Sequence, residues 1–278
     1  MPSRGMFNAP LDLKKARVLI CNDDGINAPG IKRLEKVARG FAKEVWVVSP
    51  EVEQSGAAHS LTLRQPLRIR QISKWRYAVS GTPTDCVLLA VNQIMKACKP
   101  DLVLSGFNQG ANVGEDMTYS GTIAVTMEAT LLGIPAIALS QQVDEKLVDE
   151  KSAAGRVYWS TAECYAPGII KFLTKQHWPR DVLMNVNFPP VPPDKVQGFE
   201  VAREGRRKVG DEVVEGWDPR GRPYYWIGAQ HGPDRYRPGT DLNAMARHMV
   251  CVTPVTVDLT HSGMMTKLRR AAKGFKLG

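Results

Sequence analysis

The chain has 278 residues, of which 43% are hydrophobic and 23% are charged, and its formal net charge is +9 at pH 7. These values exclude a disordered or collagen-like chain and predict a soluble globular protein that buries a large core. No apolar run reaches about 18 residues, and the five cysteines lack C-x-x-C spacing, so a membrane span, secretion and a cysteine-ligated zinc site are disfavoured and a cytoplasmic location is expected.

The first half of the chain alternates apolar, strand-like runs with helical patterns. Residues 17–21 read as a buried strand, a helix is predicted from Pro29, and residues 44–48 form a second strand. Such alternation requires crossover connections, so we predict an α/β fold with a mainly parallel sheet and helices on both faces. The same alternation continues as a strand at 77–80, a helix capped by Thr84 and ended by Pro100, a strand at 101–104, a helix through about Leu132 and a strand at 135–139.

The second half is less regular. The region 205–239 is rich in Gly, Pro, Arg and Trp, which predicts long hairpins or arms. The basic run after Asp258 is interpreted as a solvated terminus, with an anion-binding arm as the alternative. The remaining elements are a helix near 155–176 disturbed by Pro167, a strand at 181–188, a short helix capped by Thr240 and a strand at 250–257.

Polar side chains follow three of the predicted strands where each strand ends. Asp23 and Asp24 come after the first strand, Ser55 lies in the loop after the second, and Asn108 follows the strand at 101–104. Because ligands of open α/β sheets bind at the carboxyl edge of the strands, we expect these oxygen donors to converge there. Carboxylate, hydroxyl and amide oxygens suit Mg²⁺ or Mn²⁺ better than zinc or iron.

A turn in which one aspartate caps the next helix is the alternative interpretation of the adjacent Asp23 and Asp24. Two neighbouring carboxylates repel each other unless a cation or a proton neutralises them, which favours the metal site. His59 shares the loop of Ser55 and is therefore a candidate substrate contact, although the histidines otherwise have no paired ligand spacing.

The stretch 105–122, with the sequence SGFNQGANVGEDMTYSGT, contains four glycines and ends at a predicted helix start. Free N–H groups and hydroxyls at the residues Ser120, Gly121 and Thr122 would form an anion site, with phosphate as the natural ligand. A glycine-rich surface loop with an ordinary cap is the alternative. The chain lacks the G-x-x-x-x-G-K-[ST] pattern of a P-loop and the G-x-G-x-x-G pattern of a dinucleotide site.

The runs NDDG at 22–25, SGTPTDCV at 80–87 and SGFNQGANVGEDMTYSGT at 105–122, with Glu128 following, resemble the survival protein E (SurE) family of metal-dependent nucleotide phosphatases. The resemblance extends over nearly the whole chain. Two departures stand out: Phe107 replaces a smaller aliphatic residue, and the stretch 124–126 is less rich in glycine and alanine than is usual.

The resemblance implies a Rossmann-like three-layer core and one divalent cation per subunit, Mg²⁺ or Mn²⁺, with nucleoside 5′-monophosphates as substrates. Further candidate substrates are 3′-nucleotides and short polyphosphate. It also implies homodimers or homotetramers that exchange C-terminal arms. The chain would then be a single domain, 1–278, with the site in a core at 16–142 and the arms at about 205–278. The cation would be held by Asp23, Asp24, Ser55 and Asn108, and the phosphate by Asn112, Ser120, Gly121 and Thr122.

Two routes of hydrolysis are compatible with the sequence. In the first, Asp23 or Asp24 orients or deprotonates a water beside the cation while the 120–122 turn holds the phosphoryl group. In the second, Asp23 itself attacks the phosphorus and forms an aspartyl phosphate.

Two other functions stay open: a metal-dependent nucleotide-binding regulatory protein without hydrolysis, and a nucleic-acid binder that uses the +9 charge. The second is disfavoured because the basic residues are not interleaved with a regular aromatic series.

Overall fold

The structure, a computed structural model, describes residues 6–148, 155–207, 213–227 and 236–275. The helices in these ranges are α1 (Pro29–Arg39), α2 (Pro83–Leu89), α3 (Gly121–Leu131), α4 (Trp159–Leu173), α5 (Asp241–Ala246) and α6 (Ser262–Ala271). The strands are β1 (Arg17–Cys21), β2 (Glu44–Pro50), β3 (Ile69–Ser73), β4 (Arg76–Val79), β5 (Leu102–Gln109), β6 (Ala136–Gln141), β7 (Val143–Val148), β8 (Gly155–Val157), β9 (Val182–Phe188), β10 (Gly198–Val201), β11 (Val213–Trp217), β12 (Pro223–Ile227) and β13 (Met249–Thr256).

Nine of the strands form one central sheet in the order β10-β13-β9-β6-β5-β1-β2-β4-β3. The strands from β9 through β4 pair in parallel, and antiparallel pairs occur between β13 and β9 and between β3 and β4. The predicted mainly parallel sheet is therefore confirmed. The parallel order β5-β1-β2 matters for function because it brings the carboxyl ends of these three strands to one edge.

Helices cover both faces of the sheet, as predicted. Successive side chains of a strand point to opposite faces, and β1 uses both: Val18 and Ile20 belong to the core beneath α1 and α4, whereas Leu19 and Cys21 belong to the core beneath α2 and α3. This double burial explains why β1 reads as a continuous apolar run. The result is a three-layer α/β architecture.

The predicted cap of α2 is wrong by two residues. Thr82 is the N-cap: its hydroxyl accepts a hydrogen bond from the Asp85 N–H, and the Asp85 carboxylate accepts one from the Thr82 N–H. With Pro83 at the first helical position, this reciprocal pair fixes the helix start. Thr84 instead lies inside the first turn, where it is fully buried.

The predicted helix near 155–176 is shorter than expected. Residues 155–157 form β8, which pairs with β7, and α4 begins at Trp159. Pro167 lies inside α4 and does not end it. Proline removes one helical hydrogen bond, but the buried Ile169 and Ile170 hold this part of the helix against the sheet.

The C-terminal part contains the predicted hairpin, formed by the antiparallel pair β11 and β12. Residues 208–212 and 228–235 of the predicted arm region lie outside the described residues, as does the end of the basic run after residue 275. The described part of that run forms α6, which has no buried residue. None of the helices in the described ranges is both long and apolar enough to cross a bilayer; α4, with 15 residues, is the longest of them.

Candidate active site

Backbone N–H groups that follow β2 and β5 donate hydrogen bonds to the turn after β1, and so join the three strand ends. The Gln54 N–H, in the loop after β2, donates to the Asp23 carbonyl oxygen at 2.8 Å. The Gln109 N–H, at the end of β5, donates to Oδ2 of Asp24 at 3.4 Å. Ser55 and Asn108 are the direct chain neighbours of these two donors, so their loops are tied to the Asp23–Asp24 turn.

The turn after β1 has a fixed backbone. Gly25 has φ +93°, a left-handed conformation that strongly favours glycine. The fully buried Asn22 donates from Nδ2 to the Gly25 carbonyl oxygen at 3.1 Å and accepts a hydrogen bond from the Ser49 hydroxyl. Sequence analysis did not select Asn22 or Ser49, although Asn22 opens the NDDG run.

Asp23 faces the N-terminus of α3. Its Oδ1 accepts a 2.6 Å hydrogen bond from the Thr122 hydroxyl, and the backbone N–H groups of Gly121 and Thr122 also donate to the carboxylate. Gly121 packs so closely that a Cβ there would lie 2.6 Å from the Asp23 Cβ. Burial raises the pKa of Asp23, and these hydrogen bonds oppose the rise.

The predicted phosphate-binding turn is therefore in direct contact with the predicted metal-binding turn. Ser120 caps α3 by accepting a hydrogen bond from the Ile123 N–H at 3.1 Å. The free amides of the first helical turn, which the sequence indicated as an anion site, are in this structure partly used to orient the Asp23 carboxylate.

Asp24 lies in a strongly negative environment. Burial, followed by the negative charges of Asp23 and Glu53, raises the pKa of Asp24 to about 7, while the Gln109 N–H opposes the rise. Glu53 was not selected from the sequence, since nothing in its local pattern distinguishes it from a solvated loop acid. A cation would relieve the repulsion among these carboxylates, so the site fits a divalent metal ion.

Ser55 and Asn108 are the two predicted cation ligands that carry neutral oxygens. Ser55 is exposed and its hydroxyl donates to Oε1 of Glu53 at 2.8 Å. Asn108 is half-buried and donates from Nδ2 to the Gly110 carbonyl oxygen at 2.9 Å, so Oδ1 is the side-chain atom suited to a cation. No group of three or more His, Cys, Asp or Glu side chains within the described ranges is arranged to hold a metal, and a cation here would need these neutral donors.

Asn112, the remaining predicted substrate contact, lies in a buried polar network. Its Nδ2 donates to the Ser140 hydroxyl at 2.8 Å, and its N–H donates to Oδ1 of Asn187 at 2.8 Å. The Nδ2 groups of Asn185 and Asn187 both donate to the Asn112 carbonyl oxygen. This network anchors the glycine-rich loop to β9. Sequence analysis interpreted residues 181–188 only as a core strand and missed both asparagines.

Comparisons with known proteins identify the family to which this chain is similar. The family model described as Survival protein SurE matches residues 18–211. The chain is 56% identical over 265 residues to the 5′-nucleotidase SurE of Paramagnetospirillum magneticum, an alignment that spans 95% of this chain and 99% of the relative. It is 51% identical over 256 residues to the 5′-nucleotidase SurE of Rhodospirillum rubrum, spanning 92% and 95% of the two chains. The crystal structure of the SurE protein from Aquifex aeolicus superposes with a TM-score of 0.78 at 37% identity, over 92% of this chain and all of that one.

Proposed function

Since the chain belongs to the survival protein SurE family, we propose that it is a divalent-metal-dependent phosphomonoesterase that hydrolyses nucleoside 5′-monophosphates to nucleoside and phosphate. The observation that carries the proposal is the contact between the Asp23–Asp24 turn and the N-terminus of α3. It supports a cation site beside helix amides and hydroxyls, a combination that suits a phosphate monoester. The names of the similar relatives support the nucleotide as substrate. Further candidate substrates are 3′-nucleotides and short polyphosphate.

We assign one cation per subunit, Mg²⁺ or Mn²⁺, to Asp23, Asp24, Ser55 and Asn108. A bound divalent cation supplies positive charge that neutralises the phosphoryl oxygens and favours ionisation of a nearby water. The support from the structure is the chemistry of the donors: two carboxylates, a hydroxyl and an amide carbonyl on connected loops. The negative charge of Glu53 increases the repulsion at Asp24 and therefore further favours a bound cation.

The two aspartates take different roles. Asp23 is 5% exposed and is held by Thr122 and by two backbone amides, an arrangement that fixes a ligand in place. Asp24 is less enclosed and receives a long 3.4 Å hydrogen bond, so it is the group that can turn towards a water. The restraint on Asp23 favours attack by water over an aspartyl phosphate.

Hydrolysis by water then proceeds in one displacement at phosphorus. Asp24 accepts a proton from the water, the water oxygen bonds to phosphorus, and the bond between phosphorus and O5′ breaks. The nucleoside oxygen takes up a proton from solvent and leaves as an alcohol, and Asp24 returns its proton to solvent. The Ser120–Thr122 turn and Asn112 would hold the phosphoryl oxygens, with the Gly121 and Thr122 amides shared between the phosphate and the Asp23 carboxylate. Acid-quench trapping of the protein under single-turnover conditions distinguishes the routes, because only attack by Asp23 forms a covalent aspartyl phosphate.

The direct test is phosphate release from a panel of nucleotides with and without added Mg²⁺ or Mn²⁺. We expect turnover of nucleoside 5′-monophosphates that requires the metal, and a loss of several orders of magnitude in the folded Asp23→Asn/Asp24→Asn double variant. Near-normal turnover in that variant would refute the site. Metal-dependent nucleotide binding with no phosphate release from the wild type would instead support a regulatory binding protein.

We further propose that the chain assembles with itself, as a homodimer or homotetramer, through its C-terminal arms in the region 205–278, and that it acts in the cytoplasm. The hairpin formed by β11 and β12 supports the assembly because it leaves large aromatic side chains exposed, Trp217, Tyr225 and Trp226 among them. Sedimentation of the full chain beside a variant in which these three are changed to Ser tests the assembly. An equal mass for both proteins would refute it.

A further inference from the structure

His59 and Glu128 join the loop after β2 to α3. His59 Nε2 lies 3.0 Å from Glu128 Oε2, and the two side chains are 32% and 12% exposed. A largely buried carboxylate is costly unless a polar group pairs with it. Because the ring nitrogen that faces a carboxylate must carry a hydrogen, His59 donates and Glu128 accepts.

Glu128 lies on the side of α3 that begins at the active site. It follows Gly121 by seven residues, which corresponds to two helical turns, so both occupy the same face and are about 10 Å apart along the axis. Gly121 is the residue that packs against Asp23. The side chain of His59 is therefore anchored to the element that fixes the first aspartate.

Residues 54–59, the part of the loop that contains Ser55, have two other attachments to the described structure, both made by backbone N–H groups. The Gln54 N–H donates to the Asp23 carbonyl oxygen at 2.8 Å, and the Ala58 N–H donates to the Tyr119 carbonyl oxygen at 3.3 Å. Ala58 has φ +51°, a left-handed conformation that is unfavourable for alanine. Such a backbone persists only where its surroundings hold it, and the anchored His59 is its immediate neighbour.

Ser55 contributes nothing to this attachment. It is exposed, and its hydroxyl bonds to Glu53 within the same loop. The position of this proposed cation ligand therefore depends on the anchors at either side of it. Within residues 54–59 the contact between His59 and Glu128 is the anchor made by side chains, and the residues that follow are tied to the start of α2 by the Thr82 hydroxyl and the Asp85 carboxylate.

We propose that His59 is a positioning residue: by bonding Glu128 it latches the 54–59 loop onto α3 and so holds Ser55 at the cation site. The inference rests on the proposed function in that Ser55 is taken as a cation ligand. Removing an outer partner of a metal ligand typically weakens the metal site by about 10- to 100-fold. We expect His59→Ala to lie at the lower end, about tenfold, because the two backbone anchors remain.

Two measurements on the full chain test the latch without relying on turnover. The first is amide hydrogen exchange of residues 54–59 in the metal-free protein, and the second is Mn²⁺ affinity by calorimetry. We expect His59→Ala to exchange faster in this loop and to bind Mn²⁺ about tenfold more weakly. His59→Gln, whose amide nitrogen can donate to the same carboxylate, is expected to restore most of both properties.

Arg33→Ala is the control, since it removes another side-chain pair between two elements, Arg33 with Glu163 at 2.7 Å between α1 and α4, and should change neither property. Unchanged exchange and Mn²⁺ affinity within twofold of wild type in His59→Ala would overturn the proposal, as would a folded His59→Gln that behaves like His59→Ala. If His59→Ala does not fold, Glu128→Leu, whose side chain has a similar size and cannot accept a hydrogen bond, gives the same test. Phosphate release by the wild type tests the proposed phosphatase activity separately from the positioning role of His59. Absence of phosphate release would refute the phosphatase activity, and the hydrogen-exchange comparison would still test the role of His59.

Discussion

Asp24→Asn is expected to stabilise the metal-free protein above neutral pH, although it removes a proposed cation ligand. Burial and the charges of Asp23 and Glu53 raise the pKa of Asp24 from its ordinary 3.8 to about 7. A carboxyl group whose pKa is higher in the folded than in the unfolded chain favours folding below the unfolded pKa, and that contribution is lost as the pH rises from about 4 to about 7. Asparagine is neutral throughout and does not undergo this loss.

The size of the effect follows from the two pKa values. At about 1.4 kcal/mol for each tenfold change in proton affinity, a rise from 3.8 to about 7 sets a ceiling of about 4 kcal/mol. Asp24 is partly exposed, and solvent screening reduces the net change in unfolding free energy to about 1–2 kcal/mol. For a chain of this length, each kcal/mol moves the melting temperature by about 2–4 °C.

Calorimetric unfolding in the presence of a chelator, at pH 5 and pH 8, measures this difference. The Asp24→Asn variant should melt above the wild type at pH 8, and the difference should fall to less than about half at pH 5, where the folded-state carboxyl is protonated but the unfolded chain's carboxyl, with its ordinary pKa of 3.8, is already largely ionised. Asp194→Asn, at an exposed position in a surface pair with Lys195, controls for the general loss of a negative charge. Saturating Mn²⁺ should stabilise the wild type and not the variant. Equal melting temperatures at pH 8 without metal would refute the reasoning.

Three further substitutions test the packing of the site. Ser55→Ala should weaken Mn²⁺ binding, and an unchanged titration would remove Ser55 from the ligand set. Thr122→Val removes the 2.6 Å hydrogen bond to Asp23 and should lower kcat/KM by about 10- to 100-fold, with wild-type kinetics as the contrary result. Gly121→Ala places a Cβ 2.6 Å from the Asp23 Cβ and should abolish Mn²⁺ binding, whereas Gly168→Ala, which has open space in α4, should bind normally; equal binding by the two would show that Asp23 can move aside.

The sequence by itself determined the layered fold and the place of the site. The run at 17–21 is β1 to the residue, because a strand that is buried on both faces is apolar at successive positions. Pro29 begins α1, because the fixed φ of proline suits the first turn of a helix. The positions of Asp23 and Asp24 at the carboxyl edge followed from strand alternation alone.

Tertiary structure decided which side chains hold these residues. Glu53 lies close enough to Asp24 to raise its pKa, Asn187 binds Asn112 from 75 residues away, and His59 meets Glu128 across 69 residues. Periodicity and turn chemistry describe residues within a few positions of each other, so they cannot predict partners that only the order of strands and the packing of helices bring within hydrogen-bonding distance. The sequence therefore located the candidate site, and the fold determined how its ligands are oriented.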